Sequence, residues 1–463
     1  MDKHLKAGDF LMKPRAKMEP NSDLFREELV QMINPDHPLC VLAEHINWSL
    51  AQEIVMGWFE SSDGRPAKPT RLIAGLFFLK QMFNVSDDNL PGRWVENPYW
   101  QYFCGETYFQ HEFPIHPTSM TKWRHRMSEA DAEKLLALTV ELGLKTKTIK
   151  RSDFKRVNVD TTVQEKAIAY PTDSKLIQRA IQKLGKLCKE TELPIKQSYK
   201  HVSKKALFKV NNYARAQQYK RKKKWASKLN TYLGRLKRDI ERQLDHHHPD
   251  LRSVFVELLE QADRLLHQKK ESKNKLYSLH APETECIAKG KINKRYEFGV
   301  KVSVVATQKG NFIIGTQALH GTPYDGHTLV GALDQAEQLT GIRPNHAFVD
   351  NGYKGHDESI TDVHIARKNR TYATRWLKQL MKSRNAIEAL FSHAKRDGQL
   401  RRNYLKGSHG DKLNALLSSV GYNLRLILYT IRLFCAWILA FIIGGFIKIP
   451  EIIGEKGLRS EIC

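Results

Sequence analysis

The sequence predicts an α/β protein: a mixed sheet flanked by helices, with an all-α region ahead of it and a helical insertion within it. Three observations carry this. Runs rich in β-branched residues occur at FKRVNVDTTV (154–163), YEFGVKVSVVATQ (296–308) and NFIIGTQAL (311–319). Apolar residues at helical spacing follow the later strands, as in GHTLVGALDQAEQL (326–339) and RNAIEALFSHAKRDG (384–398). Between the first strand and the second lies a segment of different composition, residues 175–275, with 27 Lys and Arg against 10 Asp and Glu.

Taken in order, residues up to about 148 read as helices joined by short loops. PTRLIAGLFFLKQMFNVSDDNL (69–90) opens on Pro69 at a helix start and has a strongly apolar body. In HPTSMTKWRHRMS (116–128), Thr118 or Ser119 would cap a basic helix carrying Lys122, Arg124 and Arg126, a weak sign of a helix-turn-helix-like DNA contact. The first strand delivers Asp160 at its end. Trp225, Leu229, Leu233, Leu236 and Ile240, then Phe255, Leu258, Ala262 and Leu265, keep helical spacing on either side of HHHPD, which predicts an antiparallel helical hairpin. His246, His247 and His248 fit an exposed turn better than a metal site. Gly310-Asn311 sets a turn between two strands. HAFVDNGYKG (346–355) is a short strand ending in Asp350, and VHIARK (363–368) is another. The helix read over 384–398 would place Arg384, Glu388 and Lys395 on one side and Ile387, Leu390, Phe391 and Ala394 on the other.

The chain is globular in composition, 41% hydrophobic and 27% charged, and it carries a net charge of +25 with a pI near 9.6. That charge attracts polyanions. The 175–275 segment holds +17 of it, including the run Arg221, Lys222, Lys223 and Lys224. Six scattered cysteines with no C-x-x-C pair exclude a disulfide framework and a zinc-site pattern. The amino terminus lacks the apolar core of a secretory signal, which points to a reducing cytosol. LFCAWILAFIIGGFI (433–447) is shorter than the ~20 residues a membrane span needs. It is read as a buried helix or an oligomer contact in preference to a membrane anchor.

Three acids then stand out: Asp160 and Asp350 at strand ends, and Glu388 on the helix after the sheet. Each has an ordinary explanation. Asp350 precedes Asn351-Gly352, a common turn sequence. Asp160 before two threonines can cap a strand, and an acid between bases on a helix is usually a solvated face. Strand ends of an α/β layer, however, gather side chains at one edge. Three acids gathered there repel one another unless cations share the site, and hard divalent cations meet that need. Two Mg²⁺ ions about 3.5–4 Å apart would suit an in-line phosphoryl transfer, with Arg384 and Lys395 on flanking phosphates.

On these residues the sequence resembles a known family. Asp160 in VNVDTTV, Asp350 in FVDNGYKG and Glu388 in R-x-x-x-E-x-x-x-x-x-x-K are similar to the DDE triad of bacterial insertion-sequence transposases. HGTPYDGHTL (320–329) and the 69–90 segment also look like this family, and the resemblance covers most of residues 35–430. One position departs: a Tyr three residues before the Arg is replaced by Met381, so a tyrosine contact to the DNA end does not carry over.

The resemblance implies a ribonuclease-H-like catalytic domain (149–174 and 276–410), an N-terminal helical domain that binds DNA ends (1–148), the basic helical insertion (175–275) and a C-terminal helical segment with an apolar tail (411–463). It implies DNA cleavage and strand transfer with two Mg²⁺ ions, Mn²⁺ substituting, held by Asp160, Asp350 and Glu388. The implied partners are double-stranded DNA, as transposon ends and target, and at least a second copy of the chain, with no small-molecule substrate and no membrane. The implied location is the bacterial cytoplasm, at the nucleoid. The other expectation is a catalytically inactive DNA-binding protein on the same fold.

Overall fold

The structure, a computed structural model, describes residues 26–59, 67–269, 271–273, 275–288, 295–366 and 374–442, with side chains to residue 436. The apolar run 433–447 is described as helix as far as Ile442, and the rest of it lies outside the described residues. No helix among them is long and apolar enough to cross a membrane. The chain divides into two compact units, Met1–Glu165 with Lys301–Cys463, and Lys166–Val300.

Seven strands are present among the described residues: β1 (Arg156–Lys166), β2 (Glu285–Ala288), β3 (Tyr296–Thr307), β4 (Ile313–Leu319), β5 (His346–Val349), β6 (Asp362–Ile365) and β7 (Arg402–Asn403). The order is β2-β3-β1-β5-β6, with β4 also on β3 and β7 on β1. β5 runs parallel to β1 and to β6, and β4 antiparallel to β3. At the end of β3, the Gln308 amide donates to the Arg156 carbonyl at the start of β1, so these two neighbours run in opposite directions. The sheet is therefore mixed.

In the first unit, β1 is buried on both faces, and its Val157 and Val159 enter one large core. That core joins Val305, Ile314, Ala347 and Val349 of the sheet to Phe77, Phe78 and Trp94 of the N-terminal helices. Twelve of the 13 residues of the helix Thr70–Met82 are buried, which is why its body from Leu72 to Leu79 carries no polar side chain. The long helix Gly407–Ile442 crosses it. Asn423 of that helix is wholly buried and satisfied: it accepts the Ile313 amide, and its amide nitrogen donates to the Ile313 carbonyl and to Thr139 Oγ1. An edge of β4 is thus tied to two helices without an orphaned polar group. The β3–β4 turn runs through Gly310 and Asn311, both in the left-handed region (φ +82° and +51°), as the Gly-Asn pair predicted. The helix Thr118–Arg126 takes Pro117 as its cap; Thr118 turns its hydroxyl to His116 instead of capping.

Among its described residues the second unit contains four α-helices where the sequence predicted a hairpin of two: Asp173–Glu190, Lys200–Arg215, Tyr219–His246 and Arg252–His267. The last two are the predicted pair. Ile181, Leu184, Ala206 and Val210 from the first two join Leu229, Leu233, Leu236, Ile240, Phe255, Ala262 and Leu265 in one core. Two amphipathic helices cannot bury both apolar faces alone, and the added pair supplies the missing cover.

Candidate active site

Parallel pairing sets the first feature. Arg156, Val157 and Asn158 of β1 stand opposite His346, Ala347 and Phe348 of β5. Continued by two residues, the same register sets Asp160 opposite Asp350, one strand spacing away, where β5 ends; β1 runs on to Lys166, so Asp160 stands within its strand and not at its end as expected. Val349 and Val159, buried just before them, fix which way these positions face.

Asp350 also shapes the turn that follows. Its Oδ1 accepts the Gly352 amide at 2.8 Å and caps the short turn Asn351–Tyr353. A Cβ at Gly352 would lie 3.0 Å from Asp350 Oδ1 and 3.2 Å from Asp325 Oδ2, so glycine is what lets these two carboxylates flank one backbone position. The turn buries Tyr353, whose hydroxyl faces Ser303. Burial, and then the charges of Asp160, Asp325 and Asp350, push the Tyr353 phenol well above its ordinary value, so it stays neutral.

Asp325 is the residue that sequence reasoning missed. It opens the helix Asp325–Thr340. Its Oδ1 accepts from Lys301 Nζ and from Thr161 Oγ1, each at 3.0 Å, and Lys301 also donates to the Pro323 carbonyl at 2.7 Å. Thr161 is the neighbour of Asp160, so Asp325 belongs to the same acidic edge. Its place in HGTPYDGH, one of the segments that carry the resemblance, was the available signal.

Arg384 reaches this edge too. Its Nη1 lies 3.3 Å from Asp160 Oδ2, while Asp160 Oδ1 accepts the Thr161 amide at 2.7 Å. The expected continuous helix over 384–398 is corrected here. Arg375–Ser383 and Ala386–Arg396 are separate helices, with Arg384 and Asn385 in the break. The amides of Ile387 and Glu388 bond three residues back, to Arg384 and Asn385, a tight turn that rotates Arg384 away from the Glu388 side. Asn311 and Gln308 hold the break against the β3–β4 turn, donating to the Ala386 and Leu380 carbonyls. Met381, at the departing position, is buried.

Glu388 is exposed, and half-buried Lys395 follows two turns later on the same helix. Among the described residues no three His, Cys, Asp or Glu side chains stand close enough together to hold a metal ion. The donors at the edge are all carboxylate oxygens, which suit a hard cation such as Mg²⁺ and not a thiolate-seeking one. Asp160 and Asp350 fit that group; Glu388 is not brought to them.

Of the basic residues, Lys122 is exposed and Arg126 is half-buried, 5.7 Å from the Phe59 ring centroid. Arg124 corrects the expectation of a DNA contact: it is buried and donates twice to Asp87, at 2.9 and 3.0 Å. Asp87 also pairs with Lys80 at 2.6 Å. In the second unit Arg221, Lys223 and Lys224 are exposed and Lys222 half-buried, at the start of a 28-residue helix with no acid in its first turn.

An acidic edge on a mixed sheet, a helical region ahead of it in sequence and a strongly basic second unit characterise the chain. The comparisons with known proteins are specific. Residues 27–126 match the family described as "Transposase domain (DUF772)". A Rhizobium meliloti protein described as "Uncharacterized protein ORF8 in nfe locus" is 45% identical over 208 residues, 45% of this chain and 100% of that protein. No solved structure matches. The chain belongs to the transposase family marked by that domain.

Proposed function

We propose that the chain is an insertion-sequence transposase of the DDE class, binding double-stranded DNA at terminal inverted repeats and cutting and joining it. The observation that carries this is the register that sets Asp160, within β1, opposite Asp350, just past the end of its parallel neighbour β5. The mixed sheet order supports the ribonuclease-H-like fold that the resemblance implies, and the transposase-domain match supports the DNA substrate.

Two Mg²⁺ ions, with Mn²⁺ substituting, would supply charge neutralisation and activation of the attacking oxygen. Asp160 and Asp350 are the residues to hold them, and Glu388 is the third. Glu388 stands one turn past the break at Arg384–Asn385, and a rotation there would bring it inward. Arg384 then exchanges Asp160 for a phosphate oxygen, which its planar fork can meet with two hydrogen bonds. Lys395 holds a second phosphate. Asp350 stays fixed through the Gly352 amide, and Asp325 keeps Lys301 from the edge. Lys122, Arg126 and the 221–224 run hold phosphates further along the duplex, so affinity falls steeply with salt. Action at two DNA ends calls for at least a homodimer, in the cytoplasm at the nucleoid.

One observation favours the second reading, an inactive DNA-binding protein: Glu388 is exposed while Arg384 faces Asp160. A labelled duplex carrying the element's own end, incubated with Mg²⁺ or with EDTA, separates the two. We expect nicking that needs the metal and disappears in Asp160→Ala, Asp350→Ala and Glu388→Ala at equal DNA occupancy. Cutting that survives these changes removes the triad, and tight binding without cutting by the unaltered chain establishes the second reading.

A further inference from the structure

Residues 193–238 contain 15 Lys and Arg, six aromatic residues and no Asp or Glu. They form the helices Lys200–Arg215 and Tyr219–His246 up to its middle. Two of the aromatics stand in solvent, Phe208 at 65% and Tyr219 at 64% exposure. Phe208 lies on the outward face of its helix, one turn after Lys204 and Lys205, both exposed. Other rings nearby already take cations across the helix pair: Lys209 Nζ is 4.2 Å from the Trp225 ring centroid, and Arg221 is 5.9 Å from that of Tyr213.

A lone exposed ring is ordinary on a protein surface. Two on a basic stretch of chain without an acid are a different composition. Duplex DNA presents phosphates to such a surface and keeps its base faces inside the stack, so cations alone serve it. A single strand presents both, and a basic surface with exposed rings meets both, the cations on phosphates and the rings on base faces. An acidic protein would answer the charge and leave the rings unused.

We propose that the basic helix pair Lys200–Arg215 and Tyr219–His246 binds unpaired, single-stranded DNA by stacking bases on Phe208 and Tyr219. The inference stands on the second unit alone and does not need the chain to cut DNA.

The test uses the full chain, a labelled thymidine oligonucleotide and a labelled duplex of equal length, with fluorescence anisotropy at one fixed salt concentration. Phe208→Ala and Tyr219→Ala should each weaken oligonucleotide binding about tenfold and leave duplex binding within about twofold. Phe208→Trp keeps a ring and should keep the affinity. Lys204→Gln should weaken both substrates and lower the salt dependence. Circular dichroism of each variant shows that the helices persist. Equal losses on both substrates, or unchanged thymidine binding in both alanine variants, overturn the proposal. If the chain binds the oligonucleotide in this way yet never cuts a duplex end, the transposase mechanism falls and this inference stands.

Discussion

Arg384 and Asp160, 224 residues apart in sequence, meet through a guanidinium–carboxylate contact of 3.3 Å. Both side chains are largely buried, 12% and 17% exposed, so the pair is shielded from solvent screening. The cation expected to hold a phosphate instead neutralises the carboxylate expected to hold a metal.

That contact predicts a competition. Arg384→Gln should bind Mn²⁺ about tenfold more tightly in the absence of DNA, because a positive charge leaves one carboxylate oxygen. The same variant should cut DNA more slowly for lack of a phosphate contact. Titration of Mn²⁺ by calorimetry or by its spin-resonance signal reads the first effect. An affinity equal to that of the unaltered chain would show that Arg384 does not guard Asp160.

Asp325 should act by position. Asp325→Asn removes the charge that holds Lys301 and Thr161, so Lys301 is free to pair with the edge carboxylates. Single-turnover cutting is expected to fall about tenfold while the DNA dissociation constant stays within about twofold, the pattern of a residue that supports a site without binding substrate. A loss confined to binding would place Asp325 on the DNA.

Arg124 and Lys122 should separate stability from binding. Arg124→Ala leaves Asp87 and Lys80 imperfectly matched in a buried triad and should cost about 3 kcal/mol in urea unfolding. Lys122→Ala should change stability by about 0.5 kcal/mol or less and weaken DNA binding. The triad also sets a pH dependence. Burial alone raises the Asp87 carboxyl, but Arg124 and Lys80 outweigh it and hold it below its ordinary value. A depressed carboxyl stabilises the folded chain above its unfolded value, near pH 4, and the contribution disappears as pH falls through the lower folded value. Arg124→Ala should flatten that acid limb; an unchanged limb would remove Asp87 from it.

Gly421 marks the crossing of two helices. A Cβ there would come within 2.5 Å of the Gln81 carbonyl oxygen, backbone that cannot move aside cheaply. Arg425, one turn on, donates to the same carbonyl at 3.0 Å, and burial lowers its guanidinium to about 10. Gly421→Ala should therefore destabilise by about 1–3 kcal/mol, measured by thermal or urea unfolding. A neutral result would mean that the helices part easily.

The strands that carry Asp160 and Asp350 were legible because each acid follows buried apolar residues, a local pattern, but the end of the first strand was misplaced: β1 runs six residues past Asp160, to Lys166. Asp350 as a turn former was legible as well, from Asn351-Gly352, and the structure gives it that role. The break at Arg384–Asn385 was not. It contains neither Gly nor Pro, and the bonds that fix it come from Gln308 and Asn311, more than 70 residues away. Arg124 failed for a similar reason: on its own helix it looks like a solvated cation, and Asp87, which buries it, lies 37 residues earlier. Helical periodicity found the second pair of helices in the basic unit but not the first, although Ile177, Ile181, Leu184 and Cys188 keep the same spacing. Local patterns show elements; distant partners decide what a charge is for.

The second unit leaves the first at residue 165 and re-enters at 301, from β1 into β3. These strands are neighbours running in opposite directions, so the two ends are about one strand spacing apart, 4.7–4.9 Å. Topologically the pair is a hairpin whose turn has been exchanged for a folded unit. Once that unit has folded, its ends are already close, and the loop entropy of joining β1 to β3 falls toward that of a tight turn. The acidic edge has no such short closure: Asp160 and Asp350 are 190 residues apart, and they face each other only through the parallel pairing of β1 with β5.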